Sequence, residues 1–151
     1  MSSFGSADER RDALTPREWM MFIHVLGLIA LVNVAVRALP FRRLAAWLVR
    51  GRARSARPYK PARLAVIVAR ASACCWPTPS CLTRSLVLCR LLVRRGVDAH
   101  LVLGVDARHG QFAAHAWVEH GGRTVHADRD TAGRFAELCR FHDRAAVIRV
   151  R

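Results

Sequence analysis

At 151 residues with 52% apolar side chains, the chain holds enough apolar surface for one ordinary domain with a real core. The net charge of +14 invites a nucleic-acid reading, but of 25 basic residues only Lys60 is lysine, and aromatic residues are not interleaved with the scattered arginines as a base-stacking surface needs. That pattern argues against nucleic acid and leaves an acidic partner or the headgroup side of a membrane compatible. The cysteines Cys74, Cys75, Cys81, Cys89 and Cys139 are odd in number, form no C-x-x-C pair, and follow no secretory signal, so neither a disulfide framework nor a structural zinc site is expected. Free thiols in the reducing cytoplasm, with no metal or cofactor, fit best.

Thr15-Pro16-Arg17-Glu18 is a helix start: Thr15 caps, Pro16 suits the first helical position, and Glu18 closes a capping box. The helix should run to about Leu39, where Pro40 stops it. Residues Trp19 to Val36 carry no formal charge, so this helix must be buried in protein or in lipid, and its length sits at the threshold for a span. Phe41 to Arg50 reads as an amphipathic helix, residues 51–59 as a linker, and Pro61 to Cys75 as a third helix with Leu64, Ile67, Val68 and Ala71 at helical spacing. Trp76-Pro77-Thr78-Pro79 then breaks the chain.

Ser80 to Arg95 forms a fourth helix, capped by Ser80 and ended by Gly96. Beyond it the apolar period changes to two. Val97 to Val105 and Phe112 to Glu119 read as strands, Gly121-Gly122 as a two-residue hairpin turn, and Arg123 to Asp128 as the returning strand. Thr131 to Cys139 suggests a short helix and Ala145 to Val150 a last strand. The whole is an α+β arrangement, with an N-terminal helical region (residues 1–58) before a domain at 59–151 in which a helix packs on an antiparallel sheet.

Position separates one cysteine from the others. Cys81 lies in the first turn of its helix, where unpaired N–H groups and the positive dipole end favour a reactive thiolate. Cys89 lies two turns deeper, in line with Ser85 and Leu92, and suits a core; Cys74 and Cys75 end a helix, where the dipole opposes a thiolate. His115 lies mid-strand, on the face of Trp117 and Glu119 by alternation. A two-residue turn at Gly121-Gly122 sets His120 against Arg123 and therefore His115 against Asp128, with Cβ atoms about 5 Å apart. An acid that orients a base is the arrangement that activates a nucleophile. Asp130 lies close by, and His126 falls on the same face. The N–H of Cys81 can serve as one oxyanion donor; Trp76, Thr78 or Ser80 are candidates for a second.

The segments Cys81-Leu82-Thr83-Arg84-Ser85-Leu86 and His115-Ala116-Trp117-Val118-Glu119, in that order and spacing, resemble the transglutaminase-like leader peptidases of lasso-peptide biosynthesis. The resemblance covers about residues 60 to 140. It implies a minimal transglutaminase-like, papain-like core and cysteine proteolysis that frees a core peptide from the leader of a ribosomally made precursor. Cys81 would match the nucleophile, His115 the base and Asp128 the orienting acid. It also implies a separate leader-recognition protein, for which this chain is too short to hold a domain, and a separate lasso cyclase. An acyltransferase or amidase on the same fold would share the thioester chemistry, and a non-catalytic membrane-associated adaptor would explain the apolar first helix. The expected location is the cytoplasm, with contact at the inner face of the membrane compatible.

Overall fold

The computed structural model describes residues 14–41, 43–44, 46, 60–106, 113–125, 135–142 and 145–147. Three helices precede a sheet: α1 (Pro16–Ala38), α2 (Pro61–Ala73), α3 (Cys81–Val93), β1 (Ala99–Asp106), β2 (Ala113–His120), β3 (Arg123–Thr124), β4 (Ala136–His142) and β5 (Ala145–Val147). Residues 41, 43, 44 and 46, described between α1 and α2, are also helical.

The α1 start is the expected capping box: the Thr15 side chain accepts from the Glu18 N–H, and the Glu18 carboxylate accepts from the Thr15 N–H at 2.8 Å. Glu18 does more than cap. It is buried, and Arg63 on α2 donates to it at 2.6 and 3.2 Å, so the two helices are joined by a fork-like charged pair. The same α1 stripe continues through Phe22, Val25, Ile29 and Val32, which sink into a core shared with Leu64, Ile67 and Val68 of α2 and Leu88, Cys89 and Leu92 of α3. Each such aliphatic residue, fully buried, contributes about 1.5–3 kcal/mol.

The five strands form one antiparallel sheet in the order β3-β2-β1-β4-β5. Ala99, Leu101 and Val118 join the helical core, so their face lies toward α3; His100, Val102, His115 and Trp117 alternate to the other face. The hairpin turn is the expected two-residue loop: Gly121 and Gly122 both take positive φ, at 57° and 73°. His120 pairs with Arg123 and Glu119 with Thr124, and the Val125 N–H donates to the Val118 carbonyl at 2.9 Å.

Residues 136–139, expected as the end of a short helix over Thr131 to Cys139, instead open strand β4. Ala, Glu, Leu and Arg favour a helix locally, but pairing with β1 decides the matter. In the strand, Cys139 and Phe141 lie opposite Leu103 and Leu101, while Arg140 reaches Glu119 of β2 at 2.8 Å and Glu137 at 2.9 Å. The third helix also ends two residues earlier than its pattern suggested, at Ala73.

The Arg63 hydrogen bond, helped by the Thr15 N–H, lowers the Glu18 pKa from its usual 4.5 to about 2. A lowered native pKa stabilises the fold above the unfolded-state value, and that contribution fades as pH falls through about 4.5 toward about 2. Wild type should therefore melt above Glu18→Gln at pH 6, and the two thermal midpoints should converge when the scans are repeated toward pH 2.

Candidate active site

Pro79 and Ser80 bring the chain out of the preceding turn into α3, and the Ser80 side chain accepts from the Thr83 N–H at 3.2 Å. Cys81 is thereby the first residue of the helix, as its sequence position implied, and it is half-buried. Burial treats the other thiols differently. Cys89 is 1% exposed, and loss of solvation pushes its pKa up to about 12. Desolvation also raises the values of Cys75 and Cys139, with Cys74 and Glu137 respectively adding like charge. Cys74 is exposed.

His115 shares with Cys81 the lining of one cavity of about 300 Å³. Leu82, Leu103, Ala114 and Ala116 supply much of the remaining wall, so the space beside the thiol is apolar. His115 reaches this wall from β2, and Cys81 reaches it from the start of α3. The imidazole stacks on Phe135 at 5.1 Å and on Trp117 at 6.2 Å between ring centroids. Trp117 is itself held, its indole N–H donating to Glu119 at 2.9 Å, and Glu119 pairs with Arg140.

Two details of this arrangement escaped sequence reasoning. Gly104 lies opposite His115 in the β1–β2 register, and a Cβ there would meet the Trp117 ring at 2.7 Å and the Ala136 carbonyl at 2.9 Å. Only glycine lets the indole lie across β1 so closely. The β1–β4 register then shifts between Leu103, opposite Cys139, and Gly104, opposite Glu137. Leu138 is the extra residue of this bulge, and it is turned into the cavity wall, a common use of bulges near functional sites. A glycine flanked by strand residues was the available signal for the first; nothing local marked the second.

A third contact fixes the helix to the strand. The buried hydroxyl of Ser85 donates to the Ala116 carbonyl at 2.8 Å. Ser85 is one helical turn beyond Cys81, and Ala116 adjoins His115, so this bond sets the height of the thiol relative to the histidine strand. Of the expected oxyanion donors, Trp76 is turned out to solvent, being 96% exposed, and the Ser80 hydroxyl is engaged with Thr83. The expected acid Asp128, its neighbour Asp130 and His126 lie outside the described residues. Among the described residues no three His, Cys, Asp or Glu side chains gather as a metal ion would require.

Removing the Ser85 hydroxyl deletes a buried hydrogen bond to the Ala116 carbonyl, so Ser85→Ala should lower stability by about 0.5–1.5 kcal/mol, and Ser85→Thr should cost less because it keeps the donor. Denaturant titration of the two variants checks this.

Comparison with known proteins places the chain in a family. A 45-residue stretch, 30% of this chain, is 51% identical to the microcin J25-processing protein McjB of Escherichia coli. The match spans only 21% of that protein's length. No solved structure matches the chain significantly. The family model described as the transglutaminase-like superfamily matches residues 28–140. That match takes in α2, α3, β1, β2 and the cavity with Cys81 and His115, and the chain belongs to the transglutaminase-like superfamily.

Proposed function

We propose that this chain is a cysteine peptidase that removes the leader from a ribosomally made lasso-peptide precursor. The observation that carries the reading is the placement of Cys81 at the first turn of a helix, on one cavity with His115, inside a transglutaminase-like fold. The similarity to a protein named for processing microcin J25 supports the substrate class.

On this reading the Cys81 thiolate attacks the scissile carbonyl carbon, and the Cys81 N–H at the helix start donates a hydrogen bond to the developing oxyanion. His115 takes the thiol proton and delivers it to the departing amine, which leaves as the N-terminus of the core peptide. The leader stays as a thioester on Sγ until water, deprotonated by His115, releases it as a carboxylic acid. Hydrogen bonds between such groups are often long before substrate arrives and tighten with it seated. Asp128 orients the imidazole. The observed pairs at His120–Arg123 and Glu119–Thr124 support that register, because continuing them along the hairpin sets Asp128 against His115. A separate recognition protein delivers the leader, and a separate cyclase closes the released core. The reaction belongs in the cytoplasm, where the thiol stays reduced.

The test is cleavage of a precursor peptide, followed by mass, in the presence of the recognition protein. Cys81→Ala and His115→Ala should each lower the rate by about a thousandfold or more, while Cys89→Ala and Cys139→Ala retain most of it. Activity surviving in Cys81→Ala would remove the chain from the cysteine peptidases. For the acid, Asp128→Asn should slow cleavage strongly at unchanged thermal midpoint, though less than Cys81→Ala, and Asp130→Asn should do little. The opposite ranking would move the orienting role to Asp130.

A further inference from the structure

The outer face of α1 has no work in the peptidase reading. Trp19, Met20, Ile23, Leu31 and Val34 are 53%, 73%, 64%, 54% and 65% exposed. At 3.6 residues per turn they fall within an arc of about 120°, diametrically opposite the buried stripe of Glu18, Phe22, Val25, Ile29 and Val32. Gly27 and Ala30 fill the same arc, and no charged residue interrupts it from Trp19 to Val36. Exposed apolar surface concentrated in this way on one helix marks a contact site. The stripe is about 22 Å long and ends in cations: exposed Arg17 precedes it, and exposed Arg37 and Arg43 follow it.

We propose that this face of α1 lies in the plane of an anionic lipid bilayer. An apolar ridge with arginines at both ends suits a helix resting at headgroup depth, its apolar side immersed and its cations on lipid phosphates. The net charge of +14 draws the whole chain to such a surface and opposes one other occupant, a second copy carrying the same +14. The helix is long and apolar enough to cross a membrane. Crossing would pull Phe22, Val25, Ile29 and Val32 out of the core and part Glu18 from Arg63, so the folded chain presents α1 sideways instead.

Flotation of the full chain with phosphatidylcholine vesicles, with and without phosphatidylglycerol, tests this. Binding should need the anionic lipid, weaken at high salt, and fall by about tenfold or more in the double variant Ile23→Glu/Leu31→Glu, whose thermal midpoint should stay near wild type because both side chains point outward. On the wild-type chain, brominated lipids should quench tryptophan emission best with the bromines near the headgroups. Absence of binding to the anionic vesicles overturns the proposal, as does unchanged binding of the double variant or strongest quenching at the bilayer centre. Should light scattering show the wild type associating with itself and the double variant monomeric, the face is a protein contact and the proposal also fails.

Discussion

The hydroxyl of Ser85 and the carbonyl of Ala116 tie the helix that starts at Cys81 to the strand that carries His115. A helix start can activate a thiol wherever it sits, and a strand can carry a histidine anywhere along its length; neither is useful until the two are set at one height. One buried hydrogen bond of 2.8 Å does this across 31 positions of sequence. Around it, packing supplies rigidity: Leu86, Leu88 and Leu92 fix the rotation of α3 against the sheet, so the helix cannot turn Cys81 away without exposing its core face.

The opposite face of the sheet is organised by a different logic. There Trp117, Glu119, Arg140 and Glu137 form a chain of contacts across three strands, with the imidazole of His115 stacked at one end. The absent side chain of Gly104 makes room for the indole, and the adjoining bulge redirects Leu138. The site therefore draws on both faces: an apolar core beneath the cysteine, and an aromatic and ionic lattice around the histidine.

Much of this was legible because short-range rules govern it. Thr15 and Glu18 are three residues apart and their reciprocal bonds follow from helix geometry; Gly121-Gly122 can take the positive φ that a tight hairpin demands; Ser80 and the prolines before it set Cys81 at a helix start. What stayed hidden depends on partners far away in sequence. Glu18 meets Arg63 across 45 positions, which no local pattern encodes. Residues 136–139 have helical propensity and become a strand because β1 would otherwise leave Leu101 and Leu103 without neighbours on that side. The apolar first helix posed a choice between protein and lipid, and the structure answers with both sides of one cylinder: a stripe sunk in the core and a stripe left outside. The expectation for Asp128 rested on the hairpin register alone, which the described pairs follow as far as Val125, short of Asp128 itself.

The shelter given to Trp117 has an optical consequence. Its indole is 4% exposed, whereas Trp19 is 53% and Trp76 96% exposed. An aqueous ionic quencher reaches those two before it reaches the ring that lies against the histidine. Because a protonated imidazole draws electrons from an excited indole far better than a neutral one, Trp117 emission, isolated by replacing the other three tryptophans, responds to the charge on His115 without label or substrate.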